Sequence, residues 1–346
     1  MSKAADLANL IGNINAGGGG VNRNVIINGA MNVAQKGTSF TGLGGSTGAV
    51  YTLDRFHTFD GSTAGRATVT QDSSAPSGFA NSLKLACTTA DTSIAAGEIF
   101  LLSQRIEGQN LQAFAKGTSD AKPFSLSFYA KANASKTYVA ELYDIDNSRH
   151  VGKTFTVGTD WARHEITFPA DTTGAFGDDN GRSLDVSIWL HGGSTFTGGT
   201  LGTTWQAEDA DDRAAGIGSF FSSTDNTFFI TGVQLEVGQN PTEFEHEPYE
   251  RTLAKCKRYH YQIDSNTNRR FGVDGLYSNG AGAGLNIMIT HPVPMRAGPT
   301  VTPASAMSNT SFSTDENHIF LYHSAQSSGR IGTEVSSGTT TVTAEL

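Results

Sequence analysis

The stretch SLDVSIWL, Ser183 to Leu190, decides the fold class. Leu184, Val186, Ile188 and Leu190 alternate with Asp185, Ser187 and Trp189. A period of two puts the aliphatic residues on one side of an extended strand and the others on the opposite side. Such a strand is half-buried, the habit of antiparallel sheets. The alternation returns in FSLSFYA (124–130), where Phe124, Leu126 and Phe128 share a face, and in RHEITF (163–168), which groups His164, Ile166 and Phe168. FFITGVQLEV (228–237) reads with Phe229, Val233, Leu235 and Val237 on one side. The connecting runs TADTSIAAG (89–97), DTTGAFGDDNG (171–181) and GGSTFTGGTLGTT (192–204) are built from turn residues. About ten such strands between residues 24 and 240 predict an all-β protein, an antiparallel jelly-roll sandwich.

Composition agrees. The chain has 346 residues, of which 40 are glycine, with 37% hydrophobic and 16% charged. A single core stops growing at about 250–300 residues, so appendages to one large domain are expected. The net charge of −9 and the lack of a basic stripe exclude nucleic acid as a partner in this reading. No run approaches the 18 apolar residues of a bilayer span, and no secretory leader is expected. Membrane insertion is therefore not expected.

Outside the sandwich the pattern changes. SKAADLANLI (2–11) predicts a short helix capped by Ser2, with Leu7, Leu10 and Ile11 on one face. GNINAGGGG follows as a flexible hinge. Pro248 opens a second helix, in which Leu253 and Cys256 share a face. Strand-like segments such as HIFLYHS and TTTVTAEL fill the C-terminal part. The expected organisation is an anchor and hinge over 1–23, the jelly roll over 24–247, a connecting helix over 248–262 and a smaller β domain over 263–346. The stretch 24–30 is expected to be the first strand of the body, beside ITGVQLEVG, with a turn-prone break at Asn28-Gly29.

Catalytic motifs are incomplete. GGSTG (44–48) matches GxSxG, but a loop precedes Ser46 and a strand follows it, where a nucleophile elbow needs strand then helix. GKT at 152–154 lacks the upstream glycine of a P-loop, and HEPYE at 246–250 is not HExxH. DIDNS (144–148) has the alternating oxygens of a calcium loop without its glycine or distal glutamate. Asp178, Asp179, Asp209, Asp211 and Asp212 read as solvated loop charge. Cys87 and Cys256 have no zinc-ligand spacing and read as two free thiols, and the nine histidines are scattered. No catalytic residue, cofactor or metal is expected.

The aromatic residues are more suggestive. Trp189 is expected to point outward from its strand beside His191, and Trp161 and Trp205 sit next to turns. A flat ring offers apolar area to a sugar face or to a neighbouring subunit. Trp189, His191 and Trp205 are the glycan-contact candidates.

A series of motifs now falls into order: NVIINGAMNVAQKG, YTLDRF, SLKLACT, SQRIEG, FSLSFYAKA, ITGVQLEVG and EFEHEPYERTLAKCKRYHYQ. The series resembles a family of bacteriophage virion structural proteins, usually described as tail-fibre proteins. Their central domain looks like a carbohydrate-binding-module jelly roll. The resemblance covers about residues 24 to 262. It implies a location in the virion and assembly in the host bacterial cytoplasm; the apolar face of Leu7, Leu10 and Ile11, followed by the glycine hinge, is then expected to attach the N-terminus to other virion proteins. The resemblance also implies contact with host-surface glycan, and a homotrimer by analogy with other fibres. A decoration or cement protein without glycan binding, and a glycan depolymerase, are the rival readings.

Overall fold

Two antiparallel sheets face each other across a core made by the alternating residues. The computed structural model describes residues 3–4, 7–8, 11, 22–45, 48–265, 275–277, 284–303, 310–324, 329–331 and 338–346. The chain divides into two units, Met1–Tyr249 (with Leu346) and Glu250–Glu345.

The strands of the first unit are β1 (Ser39–Leu43), β2 (Gly48–Tyr51), β3 (His57–Gly61), β4 (Arg66–Asp72), β5 (Ser82–Thr89), β6 (Ile99–Glu107) and β7 (Phe124–Ala132). They continue with β8 (Lys136–Asp144), β9 (Arg149–Val157), β10 (Ala162–Phe168), β11 (Arg182–Gly192), β12 (Gln206–Ala207) and β13 (Thr227–Val237). One sheet has the order β1-β4-β5-β13-β7-β10, the other β12-β9-β8-β11-β6-β3-β2. The chain crosses repeatedly from one to the other, giving a sandwich of jelly-roll type. Leu184, Val186, Ile188 and Leu190 of β11 meet Phe124, Leu126 and Phe128 of β7 in one continuous core.

β13 departs from simple alternation. Thr231 pairs with Tyr129 of β7 and Gln234 with Ser127, so one extra residue is accommodated between them. Gly232 sits in this bulge at φ +62°. The extra residue inverts the faces. Phe228 and Ile230 point into the core before the bulge, and Val233, Leu235 and Val237 after it. Phe229, expected inside with the later residues, therefore faces outward.

The bulge also makes room for the N-terminal segment. β5 pairs with β13 only along Thr227–Ile230. Beyond that point residues 24–29 take its place. Val25 N–H donates to Leu235 O at 3.0 Å, and Val233 N–H to Gly29 O at 3.0 Å. The Asn24 side chain imitates a peptide: its Oδ1 accepts from Leu235 N–H and its Nδ2 donates to Val233 O. The segment lies beside β13 as expected, but it is not a regular strand. Asn28 and Met31 have φ of +62° and +58°, which no strand accommodates. The buried Asn28 amide donates to Val33 O and Asp54 O and accepts from Val33 N–H, closing the loop.

At the N-terminus, Lys3, Ala4, Leu7, Ala8 and Ile11 are helical, and Leu7 and Ile11 are 57% and 49% exposed. Leu10, the four glycines and Ser46 lie outside the described residues. No described helix is long and apolar enough to cross a membrane.

The second unit begins within the helix Tyr249–Lys257, on which Cys256 is buried. By its contacts this helix groups with the C-terminal strands rather than standing as a separate connector. His260–Ser265, Gly338–Thr343 and Thr300–Thr302 form one sheet, and Gly284–Thr290, His318–Ser324 and Thr310–Thr314 another. Tyr261, Met295, Ile319, Leu321 and Val342 make its core. Cys87 and Cys256 are both free thiols.

Gly29 tests the seating of the N-terminal segment. A Cβ there would lie 2.1 Å from Val233 O. Gly29→Ala must push the segment off β13 and is expected to cost about 1–3 kcal/mol. Urea unfolding of the two proteins measures the difference.

Candidate functional site

The three sequence candidates for glycan contact are all buried. Trp189 does face away from the main core, as the alternation requires, but its own chain covers it. Phe196, Leu201, Ala214 and Ile217, from the long connection between β11 and β13, form a roof over Ile99, Leu101, Val139 and Trp189. Trp189 is 0% exposed, and its ring lies 5.4 Å from that of Phe196. Neither ligand nor second subunit is needed to cover it. Those apolar residues stand alone among glycines and threonines, which is why the run read as an open loop.

The roof is also fastened by charge. Trp189 Nε1 donates to Glu141 Oε2 at 2.7 Å. Arg213, from the roof, places Nε at 2.8 Å and Nη2 at 2.9 Å from the two oxygens of the same carboxylate. Its guanidinium lies over the rings of Tyr143 and Trp189, 4.4 and 5.1 Å from their centres. Burial pushes the Glu141 carboxyl up, but Arg213, His150 and Trp189 outweigh it and hold the group at about 2.

His191 is buried between Glu98, which its Nε2 meets at 2.9 Å, and the Ser219 hydroxyl at 2.9 Å from Nδ1. Trp205 packs on Phe124 with ring centres 5.6 Å apart and donates its N–H to Pro169 O. It is 9% exposed. Asp144 of DIDNS faces the Lys116 ammonium at 2.5 Å, and Lys116 also donates to the carbonyls of Thr173 and Gly174. A lysine supplies the charge that a calcium ion would bring.

The open surface lies on the other sheet. Gly238, Gln239, Thr242, Glu243 and Glu245 bond to side chains of β7, β10 and β13 and cover part of its outer face. At the opposite end four side chains form a row across the strands. Phe229 of β13 pairs with Lys84 of β5 on one side and Lys131 of β7 on the other. Trp161, immediately before β10, completes it. With strands about 4.8 Å apart the row is roughly 14 Å long. Lys131 Nζ lies 4.7 Å from the centre of the Phe229 ring and 5.3 Å from that of Trp161, and Lys84 Nζ lies 5.2 Å from Phe229. The two rings meet edge to face, 6.1 Å apart. All four residues are half-buried.

Cation and ring alternate along this row, offering apolar faces and hydrogen-bond donors together. Lys131 donates to Ser74 Oγ at 2.8 Å, while Lys84 has Asp72 at 3.5 Å. Sequence reasoning missed the row for two reasons. The bulge inverted the expected side of Phe229, and Trp161 sits outside any alternating run. Gly232 in mid-strand was the available signal, because a glycine there marks a bulge.

Comparison with family models and with curated proteins returns no match. Among solved structures, the enzymatically active domain of tailspike protein 4 of bacteriophage CBA120 is 13% identical, with TM-score 0.32 over 62% of this chain and 21% of that one. TmCBM61 in complex with β-1,4-galactotriose is 12% identical, with TM-score 0.30 over 62% of this chain and 99% of that one. The family 11 carbohydrate-binding module of the Clostridium thermocellum cellulase Lic26A-Cel5E is 13% identical, with TM-score 0.28 over 59% and 96%. This chain thus spans only 21% of the tailspike structure's length. Similarities at this level establish neither a family nor a shared ligand.

The Glu141–Arg213 clasp gives an acid dependence of known sign. The folded carboxyl is depressed from the ordinary 4.5 to about 2. Its stabilisation is full above pH 4.5 and is lost as the pH falls towards 2, on the order of 3 kcal/mol in total. Between pH 5 and 2 the wild-type protein should lose that much more stability than Glu141→Gln, which starts lower because the Arg213 guanidinium keeps only Glu208 as its carboxylate partner. Thermal unfolding of both across this range tests it; parallel curves would refute the clasp.

Proposed function

We propose that this protein is a bacteriophage virion structural protein, a fibre-like appendage whose sandwich binds host-surface glycan. The observation that carries the glycan reading is the row Lys84–Phe229–Lys131–Trp161 on the open face of the sandwich. An aromatic pair left half-open beside two ammonium groups is poorly explained by packing alone, since the same protein roofs Trp189 completely. The rings would take the C–H faces of sugar residues and the lysines their hydroxyl or acidic groups. The virion assignment rests on the motif series from residue 24 to 262, and the homotrimer on analogy with fibres.

The binding reading is preferred to a depolymerase. Glycosidases place two carboxyl groups about the scissile bond. On this face Asp72 is 3.5 Å from Lys84 and Glu165 is 2.7 Å from Arg163, so both are tied to cations.

In this reading the exposed Leu7 and Ile11 dock on another virion protein. Deleting residues 2–16 should leave a folded body that fails to join particles; normal incorporation would refute the anchor.

Trp161→Ala should weaken retention on host-surface polysaccharide at least tenfold, and Lys131→Ala should weaken it too, with melting temperatures within a few degrees of wild type. Both substitutions lie at a half-open surface, where the stability cost is small. Affinity electrophoresis in gels containing the polysaccharide reads the retention. Unchanged retention of both variants would overturn the assignment of this face.

A further inference from the structure

We propose that Asp91, Glu98 and His191 form a structural binding site for one divalent first-row transition-metal ion, zinc or manganese. One oxygen from each carboxylate and one imidazole nitrogen lie within 4.8 Å of one another, and all three residues are buried. An ion held tetrahedrally at about 2.0–2.2 Å from each donor needs them roughly 3.3–3.6 Å apart, so the widest pair must close by up to about 1.5 Å to complete the set.

The three come from separate places. Asp91 and Glu98 flank the turn-rich run before β6, and His191 is near the end of β11. Each is fixed from behind. His191 Nδ1 meets the Ser219 hydroxyl, which itself accepts the Phe221 N–H at 3.1 Å. Metal-bound histidines have their second nitrogen held in this way, which sets the tautomer and aims the first. Glu98 Oε1 accepts the Ala95 N–H at 2.8 Å, leaving Oε2 to face His191. Asp91 accepts from Ala64 N–H, Thr63 Oγ1 and Ser93 N–H.

Charge is the independent argument. Asp91 and Glu98 are 5% and 3% exposed, and an oxygen of one lies within 4.8 Å of an oxygen of the other. Among the described residues no lysine or arginine pairs with either of them. Several other buried acids of this unit have a lysine or arginine: Glu141 has Arg213, Asp185 has Arg182, and Asp144 and Asp171 share Lys116. Apart from the His191 imidazole, 2.9 Å from Glu98, no group among the described residues that can carry positive charge pairs with the two buried carboxylates; adjacent buried carboxylates are costly, and a divalent ion held by all three side chains removes that cost. Imidazole among the donors favours zinc or manganese over calcium, which takes six to eight oxygens. The exposed trio Asp209, Asp211 and Asp212 lacks the burial and the histidine, and it serves as the control.

The test uses the full chain, purified without chelator. Elemental analysis should find about one zinc or manganese ion per chain, and dialysis against EDTA should lower the melting temperature by at least 5 °C. Zinc or manganese should restore it. Glu98→Gln, close to isosteric, should carry no ion and show no response to EDTA, whereas Asp211→Asn should behave as wild type. If Glu98→Gln does not fold, the wild-type metal content and EDTA response decide alone. A metal-free protein indifferent to EDTA would overturn the proposal, as would a Glu98→Gln variant that melts higher than wild type, which points to a carboxyl pair sharing a proton. Restoration by calcium alone would overturn the choice of metal.

Discussion

Only a residue without a side chain fits at position 232. A Cβ there would come 2.7 Å from the Phe79 ring and 3.0 Å from that of Tyr129, on a backbone already at φ +62°. Much follows from this single constraint. The bulge inverts β13 about its midpoint, so its first half presents Phe229 to the outside and its second half turns a different set of residues inward. It ends the pairing with β5 and lets residues 24–29 complete that side of the sheet. The anchoring of the N-terminal segment and the make-up of the open aromatic row are thus two results of one inserted residue.

The two outer faces of the sandwich manage polar burial in different ways. Above β8 and β11 the long connection brings apolar cover and one arginine, which enters an aromatic cleft to meet Glu141. Charge pairs of this kind rarely add much net stability, because desolvation offsets the attraction. What they do is penalise any alternative seating of the roof, since displacing it would strand Glu141 without its partner. The other sheet has no such roof at its Trp161 end. Its outer residues there are satisfied by one another, ring against ammonium, and remain within reach of solvent. Ser125, Gln234 and Glu236, further along the same sheet, are buried because residues 238–245 fold across them.

Period-two reading recovered much of the architecture. β7, β10 and β11 were assigned to their correct faces residue by residue, because side-chain parity is strict along an unbroken strand. It failed at β13, where parity changes within the strand, and at residues 24–27, which lie beside β13 without forming a regular strand, although the turn at Asn28-Gly29 falls where it was expected. Site residues were less legible. The outward direction of Trp189 was right and its exposure wrong: direction is a local property of a strand, whereas cover depends on where a distant loop comes to rest. The glycine-rich composition of 192–204 hid Phe196 and Leu201. The row of Lys84, Lys131, Trp161 and Phe229 and the trio of Asp91, Glu98 and His191 each draw residues from segments far apart in sequence, so only pairing between distant strands could reveal them.

β13 is the last strand of the sandwich to be synthesised, yet it lies in the interior of its sheet, between β5 and β7. Until residue 237 has left the ribosome, the neighbouring edges of those two strands have nothing between them, and most of the sandwich core has no lid on that side. Closure is therefore a late, long-range event, and slow by the usual relation between sequence separation and rate. The open edges are also sites for mispairing with other chains while they wait. Because Phe229 arrives on that closing strand, the outer row cannot exist on a partly made or partly folded chain. Its presence reports that the body is finished.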